Sequence, residues 1–506
     1  VGKHRVSVLT ALTLTLPLLD VLINGIQRAF HYFAADTFYY LSVAKVFART
    51  GLMSMDGVYT TNGFHPLWQV MTGWLYRLPL SDDAGLFLVL ALSCLSIAAA
   101  LWLIGVTLWP DGAPPAYLLA PIGVYALLIV PAESQYGTLW AYANGMETGA
   151  LLLAYAVVLY VLMTRRRIAT VHDALLLGVA LSVMVLARLD HIFIAAAVGL
   201  RYGLPALRSS RRVLRYTLLA GAVLSLVLVS YLVANVVTVG TPLPVSGAAK
   251  STFPVPHLDL PNPVQFVSNH YLRIDYDRNA QAGAVRYPQL ILPLLGAALF
   301  FLSRGRGLTL DQRRTFGAAF AGVALLHMYN LLYVPIWDQG HWYTPVSVVT
   351  LTLWALLVVR LPRWPWVYAV VALVWFGLVY SDSDYNRRYA DLYAVRHDVA
   401  AALGDVHLIE YDDGIVTFIT GLPAMSGLGF TLDAEAAQQY RLLEVAVERD
   451  HRYLASLNYF GLPSDDMSAA EVEQRLSGTF FWRDYMAAFD YEVVLVHAGL
   501  TVVRVF

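Results

Sequence analysis

Apolar runs that are candidates for bilayer-crossing helices, several of them short, recur along the first three quarters of the chain, at 6–26, 85–108, 116–131, 146–164, 172–187, 192–206, 214–236, 289–303, 315–334, 345–361 and 364–380. A membrane helix needs about 20 such residues and tolerates about 17. Basic residues cluster at 3–5, 165–167, 208–215, 304–314 and 360–363, in the joints between these runs. The excess of lysine and arginine in these joints marks them as cytoplasmic. Alternation then puts 27–65, 133–145, 237–288, 335–345 and the tail from 381 outside. A full crossing at 66–80, "PLWQVMTGWLYRLPL", would break the parity, so this run is expected to be a short or re-entrant helix. No small-residue cleavage site precedes Arg28, and the first run reads as a retained helix.

After 380 the pattern changes. The segment 381–398 is charged, and apolar runs of membrane length stop. "VHLIEYDDGIVTFITGL" predicts two β runs about the turn residues Asp412, Asp413 and Gly414. Helical spacing starts at Asp433, and "YEVVLVHAGLTVVRVF" predicts a terminal hairpin turning near Ala498 and Gly499. The expected fold is an α-helical polytopic membrane module over 1–380, with about 11–12 transmembrane segments, followed by a small extracytoplasmic α/β domain over 381–506.

Composition agrees. Of 506 residues, 58% are hydrophobic and 14% charged, against about 25% charged in ordinary soluble domains. A net charge of −1 gives no reason to expect a nucleic-acid partner. The one cysteine, Cys94, lies within an apolar run and suits packing.

The candidate chemistry lies in the outer segments. Asp36 opens a helical pattern in which Tyr39, Val43, Val46 and Phe47 share one face and Ser42, Lys45 and Arg49 the other, predicting an amphipathic helix on the membrane surface that stops near Gly51. As its first residue, Asp36 is either a helix cap or a functional carboxylate. "TTNGFHPLWQ" sets Asn62 and His65 at the mouth of the next helix, with the turn signal Asn62-Gly63 and the extended geometry that Pro66 imposes. "GMETGALL" places Glu147 one turn inside a helix. "ARLDHIF" puts Arg188, Asp190 and His191 between two apolar halves, where ionisable groups face a cavity or a partner. Lys250 follows a Pro/Gly-rich loop, and "WDQGHWYTP" holds Asp338, His341 and Tyr343 in a tight loop with two tryptophans. One carboxylate, several cations and many aromatics on one side of a helix bundle suit transfer from a membrane-embedded, phosphate-linked donor to a hydroxyl. Cations take up the leaving group's charge and a base serves the nucleophile. No clustered His/Asp set appears, so no metal and no cofactor is expected.

With Asp36 in the first outer loop and many helices ahead of an outer domain, the chain resembles the GT-C superfamily of membrane glycosyltransferases, which use polyprenyl-phosphate sugars. "ADTFYYLSVAKVFARTG", "TNGFHPLW", "GMETGALL" and "GTPLPVSGAAK" are similar to segments of its branch containing the mycobacterial terminal arabinofuranosyltransferase. Ala35 stands where that branch often has a first acid, and "TNGFHPLW" adds a histidine and a proline to its pattern. The resemblance implies a polyprenyl-monophosphate sugar as donor and a cell-envelope glycan or glycoconjugate as acceptor, with arabinofuranosyl transfer one version. Asp36 is then the catalytic carboxylate. Lys250, Arg188, His341 and Tyr343 would hold the donor phosphate, while Asn62, His65, Glu147 and Asp190 would meet sugar hydroxyls. The alternatives are a flippase for a lipid-linked sugar, which would be expected to show inverted repeats, and a transferase with a lipid-diphosphate donor.

Overall fold

The computed structural model describes residues 4–122, 142–165, 168–208, 210–257, 264, 278–303, 308–334, 341–359, 364–381, 387–410, 414–426, 442–457, 471, 490–497 and 500–506. The chain is an integral membrane protein, predominantly helical. Among the described residues three helices, Asp82–Leu108, Arg211–Val239 and Leu310–Tyr333, are long and apolar enough to cross a bilayer. Arg5–Thr13 and Leu16–Asn24 reach that length and apolarity only together and are bent by 43° at the break between them, the geometry of a broken span or a re-entrant loop. Thr148–Thr164, Val171–Ala187, Leu290–Leu302, Pro345–Val358 and Pro365–Val374 are shorter apolar helices. Every run the hydropathy pattern marked has a helix on it except 116–131. There a 3-10 turn, Pro115–Leu119, opens the run, and 123–131 lie outside the described residues.

Local chemistry sets the helix ends. Thr309 accepts from the Gln312 amide while the Gln312 side chain reaches back to the Thr309 amide, a reciprocal cap. Thr170 accepts from the Asp173 amide at the head of Val171–Ala187. Pro66 occupies the first turn of Pro66–Tyr76, and His65 before it is extended (φ −80°, ψ 122°), as proline requires of its predecessor. Thr37–Thr50 stops at Gly51, whose φ of 79° suits glycine.

The chain divides into two compact units, one of Val1–Asp20, Leu90–Tyr231 and Lys250–Ser383, the other of Val21–Val89, Leu232–Ala249 and Asp384–Phe506. Among the described residues the second holds a five-stranded mixed sheet. Its strands are β1 (Leu408–Glu410), β2 (Ala424–Ser426), β3 (Tyr453–Leu457), β4 (Tyr491–His497) and β5 (Leu500–Val505), in the order β2-β1-β3-β5-β4. β1 pairs in parallel with β2 and β3, with Ile409 opposite Met425 and Leu454, and β5 is antiparallel to β3 and β4. The terminal hairpin is therefore present, although Ala498 and Gly499 at its turn lie outside the described residues, as do Asp412, Asp413 and Asp433.

One predicted strand is a helix. Residues Ile415–Thr420, rich in β-formers, coil between Gly414 and Gly421, whose φ values are 90° and 73°. The cause is tertiary. Buried Glu410, at the end of β1, accepts from the Val416 amide at 2.7 Å, the Thr417 amide at 2.9 Å and the Thr417 hydroxyl at 2.6 Å, satisfying amides that a helix start leaves without partners.

Candidate active site

In the second unit, Asp36 stands at the N-cap position of Thr37–Thr50 with φ −53° and ψ −16°, and its side chain makes no cap hydrogen bond. Half-buried, the carboxylate has no hydrogen bond or ion pair among the described residues. Helix capping therefore does not account for an acid here.

The helix it opens is not the surface-lying element its polarity suggests. Residues Thr37, Phe38, Tyr39, Tyr40, Leu41, Ser42, Val43, Ala44 and Val46 are all buried. Its polar face is spent on backbone carbonyls around Ile415–Thr420. Ser42 donates to the Gly414 carbonyl at 2.7 Å, Lys45 to that of Phe418 at 2.7 Å, and Arg49 to that of Gly421 at 3.4 Å. Lys45 also pairs with Asp82 at 2.8 Å. Burial pulls its ammonium below the usual lysine range, and Asp82 opposes that shift. Cations belong at a helix C-terminus, where the partial charge is negative. A second function of Gly414 is space: a Cβ there would lie 2.8 Å from the Phe38 carbonyl.

Asn62 is buried, and both ends of its amide are engaged. Nδ2 donates to the Leu243 carbonyl at 3.2 Å, and Oδ1 accepts from the Val245 amide at 3.0 Å. It clamps the Pro-rich loop ahead of the short helix Val245–Lys250. The His65 amide donates to the Tyr40 hydroxyl at 3.3 Å, and the His65 side chain is half-buried.

The remaining candidates belong to the first unit. Val171–Ala187 and Ile192–Leu207 are joined by a 3-10 turn, Leu189–His191, so the apolar stretch breaks where its charges lie. Arg188 gathers the groups around it. Nε donates to the two Asp190 oxygens at 3.2 and 3.1 Å, and Nη1 to Glu147 at 2.9 Å and the Trp342 carbonyl at 2.8 Å. The Tyr343 ring lies 4.1 Å from the guanidinium carbon. Asp190 also meets His191 Nδ1 at 2.7 Å.

Glu147 is the N-cap residue of Thr148–Thr164, not one turn inside it, and makes no cap bond. Upstream chemistry fixes this boundary: Gly145 takes φ 78°, Asn144 accepts from the Met146 amide at 3.1 Å, and Thr148 donates to Asn144 at 3.0 Å. The Glu147 carboxylate turns to Arg188, because a buried charge left unpaired costs far more than a lost cap. Gly149 completes the motif by close approach, since a Cβ would sit 2.7 Å from the Ser93 carbonyl.

Lys250 is half-buried at the end of its helix. The segment after it is anchored by the Thr252 amide on the Tyr333 carbonyl at 2.8 Å and by Ser251 with the Tyr329 hydroxyl at 3.0 Å. The backbone of His341 opens the 3-10 turn His341–Tyr343, but its side chain lies outside the described set, and so does Asp338. Sequence reasoning brought Arg188 and Asp190 together but missed the Glu147 link, 41 residues away, and the His191 pairing.

No protein-family model and no curated protein matches the chain. Among solved structures, ArnT from Cupriavidus metallidurans in the apo state is similar over 96% of this chain and 96% of its own, at 12% identity and a TM-score of 0.51. ArnT from the same organism bound to undecaprenyl phosphate aligns with a TM-score of 0.45 at 13% identity over 97% and 96%. The Archaeoglobus fulgidus oligosaccharyltransferase complex with zinc and sulfate gives 0.47 at 12% identity over 98% of this chain and 73% of that one. The apo ArnT likeness is one of fold, a helical membrane module with a small C-terminal α/β domain.

Proposed function

We propose that this chain is a membrane glycosyltransferase that moves a sugar from a polyprenyl-monophosphate donor to a hydroxyl of a cell-envelope glycan or glycoconjugate on the outer side of the membrane. The observation that carries the reading is Asp36. A half-buried carboxylate that caps nothing and pairs with nothing among the described residues is available to a substrate. ArnT, whose apo form shares the fold, has a structure with undecaprenyl phosphate, a lipid monophosphate of the kind invoked here.

In the proposed reaction the acceptor oxygen attacks the anomeric carbon. The bond from that carbon to the phosphate oxygen breaks, its electron pair leaves with the lipid phosphate, and the hydroxyl proton passes to Asp36. Lys250 meets the departing phosphate as a point charge. Arg188 is already matched by two carboxylates, so its share is smaller, offered through Nη2 and supported by the Tyr343 ring, with His341 nearby in sequence. Glu147 and Asp190 hold Arg188 and reach sugar hydroxyls only with their remaining oxygen lone pairs. Asn62 acts by setting the loop that leads to Lys250, and His65 contacts the sugar. The sugar is a pentose or hexose, arabinofuranose among them.

The test is turnover by the purified chain with a panel of synthetic polyprenyl-phosphate sugars. Release of polyprenyl phosphate matched one to one by glycosylated acceptor supports the reading. Passage of an intact lipid-linked sugar across a liposome without any such release would defeat it.

A further inference from the structure

A cavity of about 590 Å³ in the first unit lies outside the residues assigned above. It is lined by Arg201, Tyr202, Asp311 and Arg314 among apolar side chains that include Leu200 and Leu204. Leu200 and Leu204 are 58% and 60% exposed on the helix Ile192–Leu207, so that flank of the cavity has an exposed apolar edge. Among the described lining residues, two arginines stand against one aspartate, an excess of one positive charge. A cation at membrane depth is costly without a counter-charge.

Arg201 Nη1 donates to the Leu162 carbonyl at 3.2 Å, at the end of Thr148–Thr164, and its Nε and Nη2 have no hydrogen-bond partner among the described residues. Arg314 is exposed on the first turns of Leu310–Tyr333. The Tyr202 hydroxyl donates to the Arg165 carbonyl at 2.7 Å, fixing the ring beside Arg201. The lining comes from the helix ends next to the basic joints 165–167, 208–215 and 304–314. Basic pockets between membrane helices on the positively charged side suit lipid head groups.

We infer that this cavity is a binding site for the phosphodiester head group of an anionic phospholipid. The single negative charge of the phosphodiester balances the lining, Arg201 and Arg314 donate to its oxygens, and the acyl chains run along Leu200 and Leu204. The site serves as an anchor and is independent of the transfer reaction.

The experiment uses the purified full chain in zwitterionic detergent, titrated with phosphatidylglycerol, phosphatidylcholine or inorganic phosphate. Thermal stability and retained lipid by native mass spectrometry are the readouts. Phosphatidylglycerol should raise the melting temperature and remain bound at one per chain, while the other two should not. Arg314→Gln, at an exposed position that folding tolerates, should weaken the phosphatidylglycerol effect about tenfold or more, as loss of one charge-assisted contact predicts, and Arg201→Gln combined with it should weaken it further. Equal effects of phosphatidylglycerol and phosphatidylcholine, or an unchanged response in Arg314→Gln, would overturn the site. Equal protection by inorganic phosphate would overturn its assignment to a lipid.

Discussion

Glu147 and Arg188 form an ion pair at 2.9 Å with side chains 0% and 2% exposed, bridging the start of one apolar helix and the end of another. The desolvation cost of both charges is already met in the fold, so loss of either leaves the other uncompensated. Glu147→Ala and Arg188→Ala should each destabilise the chain by about 3–5 kcal/mol, as is typical of broken buried pairs. The double variant should be less destabilised than the sum of the two. Melting in detergent measures all three, and strict additivity would show that the two residues are not coupled.

Close packing gives a second expectation. Gly149 approaches the Ser93 backbone so nearly that a Cβ would lie 2.7 Å from its carbonyl oxygen. Gly149→Ala should cost about 1–3 kcal/mol by overpacking, in spite of alanine's better helix propensity. A stabilised variant would show that the two helices have room.

A third concerns pH. Burial pushes the Glu410 carboxyl from its ordinary 4.5 up to about 7, against the hydrogen bonds from Thr417 and Val416 that favour its charged form. Because the folded value lies above the unfolded one, the folded state keeps a proton that the unfolded state has released between those two values. Stability should therefore be highest below about pH 4.5 as far as this group is concerned, fall as pH rises to about 7, and level off above. The full excursion is roughly 3 kcal/mol at about 1.36 kcal/mol per unit. Melting of wild type and Glu410→Gln across that window checks it. The glutamine variant should lack this component, and identical pH profiles would remove Glu410 as its source.

The elements legible in the sequence are those governed by local rules. Hydropathy marked the long helices, Gly51 and Pro66 marked ends, and the alternating terminal run marked β4 and β5. Long-range partners decided what was misread. Ile415–Thr420 has strand composition but is coiled by Glu410, which its own residues do not reveal. Lys45 and Arg49 looked solvent-facing because nothing local tells that carbonyls 370 or more residues away would receive them, as the separations of 373 and 372 show. Within the site, each polar residue was visible as an anomaly at a helix boundary. Which one would remain without a structural partner was not, since that depends on every neighbour the fold brings up.

Among the described residues Asp36 is that one, and the central claim rests on it. Asparagine keeps its size and hydrogen-bonding capacity but can neither take the acceptor's proton nor offset positive charge on the sugar. Transfer from polyprenyl-phosphate sugar by purified Asp36→Asn should fall by about 10²–10⁴-fold, the usual contribution of a positioned acid–base group. Its melting temperature and donor binding should stay near wild type, because the carboxylate makes no cap bond and the phosphate contacts are assigned to other residues. Transfer by Asp36→Asn at the wild-type rate would contradict the account.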